Sequence, residues 1–493
     1  VEAWVDFELR SAEYYSVLGE LSGRAPDTAA VEGFLPDEVA HGVRGQPLDD
    51  SGLRVSLRGY QAFGARFALA RRRVILGDEM GLGKTVQAIA AMGHLAADGH
   101  THFLVVCPAG VLVNWTREVE SRSALRVTPL HGPERDAAFA RWRERGGVAV
   151  TTFESLRALP GPAGPPPSML VVDEAHAVKN PEALRTRAVA AWAGRCERVL
   201  FMTGTPMENR VAEFRSLVRM LDAGLADRLE DGAAGAAGSV AFRRAVAPVY
   251  LRRNQDDVLT ELPSLQHTDE WEELSADDEE AYRAAVGERN FMAMRRASYA
   301  RPEKSAKLGR LREIAREAAE NGQKVVVFSA FRAVLDAVRG ALEADRPGSV
   351  FGPLTGDVPP VRRQRTVDAF TAASGPAVLV AQIQAAGVGL NIQAASVVVL
   401  CEPQVKPTLE HQAVARAHRM GQVRPVQVHR LLATGGVDER LVRILADKDR
   451  LFDAYARRSA VAEATPDAVD GSDTDLVRRI VEEERARLGV TDG

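Results

Sequence analysis

The sequence has few cysteines, no long apolar run and little net charge, and the first two shortages each exclude a class of protein. Its three cysteines, Cys107, Cys196 and Cys401, lie far apart without any CxxC pair, so we expect neither a disulfide framework nor a zinc site. No apolar run approaches the ~20 residues that cross a bilayer, and VEAWVDFELR at the start lacks the order of a signal peptide. We therefore expect a cytoplasmic protein with no membrane partner, associated with the nucleoid if it is bacterial. A net charge of −4 gives no global positive field, so a polyanion would need a local basic cleft.

The 493 residues are too many for one hydrophobic core, and 46% apolar residues are ordinary for a folded chain. Short runs rich in Val, Ile and Leu, such as RVILG and HFLVVCP, recur between helical patterns before residue 205, and a second series begins at Lys324. This rhythm predicts an α/β fold with two tandem lobes, each a buried parallel sheet with crossover helices. The predicted lobes span residues 51–206 and 306–436, with a helical insertion and linker at 207–305. Residues 1–50 are expected to be an extension, a remnant of an upstream domain, and 466–493 a solvated tail helix.

The segment GDEMGLGKT, residues 77–85, lies between an apolar strand and a helical pattern, which is the context of a phosphate-binding loop. Gly81 and Gly83 allow backbone amides to turn toward phosphates, and the following helix adds the positive end of its dipole. Lys84 is suited to reach the β and γ phosphates of ATP, and the Thr85 hydroxyl to bind Mg²⁺. Asp78 stands where the strict GxxxxGK[ST] pattern has glycine, so the loop alone is also compatible with a glycine-rich turn.

Asp173 and Glu174 end the apolar strand MLVVD, where open α/β sheets bind ligands. Asp173 is suited to hold Mg²⁺, and Glu174 to orient and deprotonate the attacking water. Such residues are often only helix caps, but the upstream GKT loop favours phosphoryl transfer.

In HQAVARAHRMGQ, residues 411–422, Arg416 and Arg419 would lie on one side of a helix and could neutralise the γ phosphate. Such a pair can also be a solvated face.

From about Leu57 to Phe452 the chain resembles the Swi/Snf-like ATPases of helicase superfamily two, in a bacterial-type form. The resemblance rests on LRGYQ, DEMGLGKT, DEAHAVKN, MTGTPMEN, LRRNQDDV and AHRMGQ, which occur in the family's order. It implies two RecA-like lobes, a bracing helix at 437–465, ATP and Mg²⁺ as ligands, and ATP-driven movement along double-stranded DNA held by its phosphates. Asp78 is then a trait of the family.

The resemblance also assigns residues by motif. Gln61 would read the adenine base, Gly389, Asn391 and Gln412 would complete the nucleotide site from the second lobe, and His176, Thr203 and Thr205 would couple it to DNA. Expected nucleic-acid contacts, from the motifs and from basic residues near the cleft, are Trp115, Thr152, Arg252, Arg253, Lys307 and Ser329. One departure is AQIQAAG, which replaces the Ser/Thr-Arg form of this motif in eukaryotic remodellers.

The sequence is also compatible with three other functions. A strand-separating helicase of DNA or RNA would need a wedge, which has no sequence signature. An ATP-regulated scaffold would engage a protein partner and barely translocate. The motor subunit of a restriction or phage-defence system would rely on another chain for cleavage, because no nuclease pattern is evident.

Overall fold

A computed structural model describes residues 28–160, 164–204, 211–230, 240–258, 264–386, 390–419, 422, 424–444 and 473–490. The chain forms two compact units, and among the described residues the first ends at 258 and the second begins at 264. Each unit has one sheet in which all strand pairs are parallel, so the predicted α/β class with two tandem lobes is confirmed. None of the helices described is both long and apolar enough to span a bilayer.

The first unit contains a seven-stranded sheet in the order β3-β4-β2-β5-β6-β1-β7. Its strands are β1 (Arg73–Leu76), β2 (His102–Cys107), β3 (Val127–Leu130), β4 (Gly147–Thr152), β5 (Met169–Asp173), β6 (Arg198–Met202) and β7 (Tyr250–Leu251). Its α-helices are Thr28–Val31, Asp37–Arg44, Gly59–Arg71, Lys84–Ala97, Leu112–Arg122, Arg135–Arg145, Phe153–Ala158, Leu184–Ala193, Val211–Leu221, Ala223–Glu230, Val240–Val246 and Gln255–Val258.

The central strands of this sheet are continuous apolar runs because helices cover both of their faces. Large side chains such as Trp142, Phe201 and Phe214 fill one core. The register pairs Asp173 with Met202 and Leu76 with Met202. The carboxyl ends of β1, β5 and β6 therefore meet at one edge, which places the segments that follow them side by side.

The second unit contains a six-stranded sheet in the order β10-β11-β9-β12-β13-β8. Its strands are β8 (Leu265–Glu273), β9 (Lys324–Ser329), β10 (Ser349–Leu354), β11 (Ala377–Gln382), β12 (Val397–Leu400) and β13 (Val426–Thr434). Its α-helices are Ala276–Gly287, Phe291–Arg296, Ala306–Glu320, Arg332–Asp345, Pro360–Ala372, Ile383–Ala386, Pro407–Val414, residues 437–444 and Asp473–Leu488.

The structure divides the segment 207–305 differently from the expected helical insertion. Its first part packs on the first unit and ends in β7, whereas β8 forms the edge of the second sheet and pairs with β13 along all nine residues. The sequence of β8, LQHTDEWEE, is polar because an edge strand buries little of its surface. The boundary between the units accordingly lies between residues 258 and 264 and not after 305.

The two terminal segments also pack more closely than expected. Residues 28–50 lie against the first unit, where the Asp49 amide donates to His94 Nδ1 at 3.0 Å. In the tail helix, Ile480 and Val481 are buried in an apolar cluster, and Tyr282 donates to Glu484 at 2.8 Å. The tail helix is therefore part of the second unit and is not merely solvated.

Candidate functional site

The phosphate-loop candidate follows β1 and leads into the helix Lys84–Ala97. Gly81 and Gly83 have φ values of 85° and 73°, a left-handed conformation that glycine adopts without strain. Gly83 is the N-cap of the helix, so the free amides of the first turn point toward the loop. Lys84 Nζ donates to the carbonyl of Asp78 at 2.6 Å and to that of Glu79 at 3.3 Å. An ammonium group and a helix amino terminus thus converge on one loop, as phosphate binding requires.

Gln61 lies in the first turn of the helix Gly59–Arg71 and is 4% exposed. Its Oε1 accepts from the Arg58 amide at 3.1 Å, and its Nε2 donates to the Leu82 carbonyl at 3.4 Å. The side chain thus links its own helix start to the phosphate loop. Its contact with an adenine base stays a prediction.

Asp173 ends β5 at the same edge of the sheet. Trp115 Nε1 donates to its Oδ2 at 2.8 Å and the Glu174 amide to its Oδ1 at 2.9 Å. Burial of the carboxyl and the neighbouring Glu174 carboxylate together raise the pKa of Asp173 to about 6, although the Trp115 hydrogen bond and Lys84 oppose the shift. A nearby cation would stabilise the ionised form of a carboxyl in this environment.

Glu174 has a left-handed backbone, with φ 49° and ψ 50°, a conformation that is unusual for a residue with a side chain and is often found at functional sites. Its Oε2 lies 3.3 Å from His176 Nδ1, and the same nitrogen lies 3.3 Å from Thr203 Oγ1. Thr203 is buried, and its amide donates to the Leu76 carbonyl at 3.2 Å. The structure thus connects Glu174 through His176 to the segment after β6; Thr205 lies outside the described residues.

Three of the expected nucleic-acid contacts are buried and have other partners. Trp115, 1% exposed, holds Asp173. Thr152, also 1% exposed, caps the helix Phe153–Ala158 by accepting from the Ser155 amide at 3.1 Å. Ser329 is fully buried and donates to Glu402 at 2.9 Å. Direct contact of these side chains with a nucleic acid is therefore a wrong prediction; they shape the loops at the strand ends instead.

The basic candidates are corrected as well. Arg253 is 2% exposed and forms an ion pair with Asp78 in which both side chains have no exposed surface. Lys307 is 1% exposed and lies 2.5 Å from Asp438, which belongs to the helical residues 437–444. Buried basic side chains of this kind need a paired acid, and neither can reach a phosphate backbone. Arg252 is partly exposed and interacts with Tyr250.

In the second unit, the expected helix across residues 411–422 ends at Val414. Bonds of the tighter i to i−3 type, from Arg416 to Ala413 and from Ala417 to Val414, turn the chain, so Arg416 and Arg419 lie on a turn beyond the helix that carries Gln412. The expected helical alignment of the two arginines is therefore wrong.

Gln422 fixes this turn, a role that the sequence did not reveal. Its buried Nε2 lies 3.0 to 3.1 Å from the carbonyls of Gln393, Ala395 and Ala417, and its Oε1 accepts from the Arg424 amide at 3.0 Å. The Ile392 amide also donates to the Arg416 carbonyl at 3.1 Å. The arginine turn and the segment of Asn391 are thus held as one piece; Gly389 lies outside the described residues.

The departure at AQIQAAG has a structural role of its own. Gln382 ends β11, accepts from the Gly356 amide at 3.2 Å and donates to the Ala330 carbonyl at 3.2 Å. It thereby connects the carboxyl ends of three neighbouring strands, β9, β10 and β11.

Sequence comparison identifies the family and several relatives of this chain. The profile of the SNF2-related domain matches residues 60–321, and that of the helicase conserved C-terminal domain matches residues 306–421. An uncharacterized ATP-dependent helicase of Mycoplasma pneumoniae is 29% identical over 436 residues, which cover 80% of this chain and 42% of that protein. The putative ATP-dependent helicase/translocase YwqA of Bacillus subtilis is 27% identical, with 81% and 48% covered. Mouse chromodomain-helicase-DNA-binding protein 1-like is 28% identical, with 84% and 52% covered.

The chain spans about half the length of these curated relatives. Among solved structures, the Sulfolobus solfataricus SWI2/SNF2 ATPase core in complex with dsDNA matches with a TM-score of 0.41 and 24% identity, covering 88% of this chain and 99% of that one. The SNF2-related profile alone matches more than half of the residues. The resemblance to Swi/Snf-like ATPases is therefore confirmed, and the chain belongs to the family of proteins with an SNF2-related domain.

Proposed function

We propose that this chain is an ATP-dependent translocase on double-stranded DNA, which hydrolyses ATP to ADP and phosphate and so remodels DNA or protein–DNA complexes. The observation that carries the proposal is the convergence of the phosphate loop, the Asp173–Glu174 pair and the His176–Thr203 contact at one edge of the first sheet. Phosphoryl transfer needs such an arrangement, because its catalysis is mainly positioning and charge stabilisation.

In this function Lys84 would leave the carbonyls of Asp78 and Glu79 to bind the phosphates of ATP. The oxygen groups of Thr85 and Asp173 suit Mg²⁺, a hard cation that is bound by one or two protein oxygens together with substrate phosphates. Among the described residues, no group of three or more His, Cys, Asp or Glu could hold a metal by itself, which agrees with such a shared site. Bound Mg²⁺ would neutralise charge on the phosphates.

Glu174 would accept a proton from the attacking water, and the 3.3 Å contact with His176 keeps its carboxylate at the edge of the sheet. His176 and Thr203 would relay the state of the nucleotide to the segment after β6. From the second unit, Arg416 and Arg419 would neutralise the γ phosphate in the transition state, as the family resemblance implies.

Double-stranded DNA as the track is supported by the family and by the names of the relatives, which include a helicase/translocase and a chromodomain-helicase-DNA-binding protein. Since Arg253 and Lys307 are buried, other basic side chains must provide the phosphate contacts. Binding through phosphates is independent of sequence and weakens steeply with salt.

The test is ATP turnover with duplex DNA, single-stranded DNA or RNA as the stimulant, together with displacement of a third strand from a triplex. We expect duplex DNA to stimulate most strongly, at a level that falls with added salt, and ATP to drive triplex displacement without separation of the duplex. Strand separation would instead establish a helicase. Stimulation by RNA or by a protein partner, with none by duplex DNA, would refute the proposed track.

Gln422→Ala is expected to lower kcat roughly 10-fold with little change in the KM for ATP, because an arginine that acts on the transition state contributes to kcat and not to ground-state binding. The substitution removes the amide that fixes the arginine turn. Gln364→Ala is the matched control, since Gln364 is also buried and, within the described part of the chain, its side-chain amide donates to Asp368 of its own helix. Equal kinetics of the two variants would show that the turn does not position the arginines.

A further inference from the structure

Every N–H group of the buried Arg253 guanidinium has a partner. Nε donates to Asp78 Oδ1 at 3.0 Å, and Nη2 donates to Asp78 Oδ2 and to Gln87 Oε1. Nη1 donates to the carbonyls of Val31 and Tyr60. All five donors are thus used, and the fork-shaped contact with Asp78 is a geometry that only arginine can provide.

The four partners come from different parts of the first unit. Asp78 lies in the phosphate loop, Gln87 in the helix after it, Tyr60 beside Gln61, and Val31 in the amino-terminal segment. Gln87 closes the cluster, because its Nε2 donates to Asp78 Oδ2 at 3.0 Å. The Arg253 side chain therefore connects the phosphate loop to the segment that carries Gln61, and both segments are expected to bind the nucleotide.

The backbone around Arg253 follows the phosphate loop closely. The amides of Gly77 and Glu79 donate to the carbonyls of Leu251 and Arg253 at 2.7 and 2.8 Å. Beyond them, Gln255 donates its amide to Glu79 Oε2 at 2.7 Å and its Nε2 to the Met80 carbonyl at 2.6 Å. The segment 251–255, which lies within the first unit, is thus bonded to residues 77–80 of the loop.

Two glycines give this cluster its space. A Cβ on Gly64 would lie 1.8 Å from Gln87 Oε1 and 2.8 Å from Arg253 Nη2. A Cβ on Gly33, whose φ is +64°, would lie 2.7 Å from Leu251 and 2.8 Å from the Arg252 carbonyl. Neither position tolerates a larger side chain without moving the cluster, so the packing around Arg253 is close on two sides.

We propose that Arg253 is a positioning residue of the nucleotide site, which holds Asp78 and thereby keeps the phosphate loop in the conformation that binds ATP. A buried ion pair is a weak source of stability compared with apolar packing, but it can specify one arrangement of the chain. The ion pair also explains Asp78, which replaces the glycine of the strict motif: its carboxylate binds Arg253 and so fixes the loop. The inference rests on the proposed function, in which residues 77–85 bind ATP.

Arg253→Lys tests the inference, with Arg73→Lys as the matched control. Arg73 is the first residue of β1, the strand that precedes the phosphate loop. Its guanidinium donates to four carbonyls, those of Leu221, Ala193, Cys196 and Met220, at 2.6 to 2.9 Å. Lysine cannot replace either fork, so both variants should melt at lower temperature. Well below both melting temperatures, only Arg253→Lys should raise the KM for ATP, roughly 10-fold or more.

Asp78→Asn provides the second variant, because it keeps the size of the side chain and removes the charge. We expect it to raise the KM for ATP as Arg253→Lys does, and the double variant to resemble either single variant, since both changes break one interaction. An unchanged KM in Asp78→Asn, or in a folded Arg253→Lys, would overturn the inference. So would independent effects that multiply in the double variant. Retention of ATP binding by Lys84→Ala would refute the nucleotide site itself, which is a distinguishable failure.

Discussion

Replacing Lys84 with alanine is expected to weaken ATP binding roughly 100-fold and to reduce ATP turnover to background, since hydrogen bonds from a charged group contribute about 1.5–3 kcal/mol each. Lys84 Nζ donates to two loop carbonyls, those of Asp78 and Glu79, and phosphate oxygens would be stronger acceptors for it because they carry negative charge. The measurements are the Kd of ATP, by the shift of Tm with ATP concentration, and steady-state turnover with saturating duplex DNA.

Lys324→Ala is the control for this variant. Lys324 also donates to two backbone carbonyls, those of Phe370 and Thr371 at 3.1 and 2.8 Å, but it begins β9 in the second unit. It should lose stability without losing ATP affinity. If Lys84→Ala keeps the ATP affinity of the wild type, residues 77–85 are not the phosphate-binding loop.

The loop at residues 77–85 and the acidic pair could be located in the sequence because each is encoded within a few residues; their roles with ATP stay predictions. Gly81 and Gly83 were expected to let the backbone turn toward phosphates, and both adopt left-handed conformations; Asp173 and Glu174 lie at the end of a buried apolar strand. The order of apolar runs also predicted both parallel sheets. Strand β8 was missed because the edge of a sheet imposes no apolar pattern on its residues.

The environments of single side chains were the less predictable part. Arg253 and Lys307 looked like free cations because their partners, Asp78 and Asp438, lie 175 and 131 residues away in the chain. Local patterns carry no information on such pairs. The motif LRRNQDDV indicated the family. It did not show whether its arginines contact a ligand or are buried in the protein interior.

Replacing Glu174 with glutamine is expected to lower turnover about 10³-fold, within the range that a general base contributes, while ATP still binds. The amide cannot accept the proton of the attacking water, whereas Lys84 and the loop remain intact. This split between binding and turnover distinguishes the assigned base from a residue of the binding site. Turnover equal to that of the wild type would show that Glu174 is not the base.

The same variant should be more stable than the wild type near neutral pH in the absence of nucleotide and Mg²⁺. In the folded wild type, burial and the Glu174 carboxylate raise the pKa of Asp173 to about 6, above the value of 3.8 from which it starts. The folded state therefore binds this proton more tightly than the unfolded state, so the free energy of unfolding falls as pH rises from about 4 through 6. In Glu174→Gln the neighbouring negative charge is absent, so the pKa of Asp173 rises less on folding. The variant therefore loses less stability between about pH 4 and 6.

The expected gain is on the order of 1 kcal/mol at about pH 7.5. It should disappear toward about pH 4, where the Asp173 carboxyl of the wild type is protonated and repulsion between the two carboxylates is absent. Thermal melts in EDTA at the two pH values measure the difference. Glu182→Gln serves as the control, because Glu182 is exposed and pairs only with the exposed Arg187 among the contacts described. A gain in Tm that is independent of pH, or one that Glu182→Gln shares, would mean that repulsion between Asp173 and Glu174 is not its source.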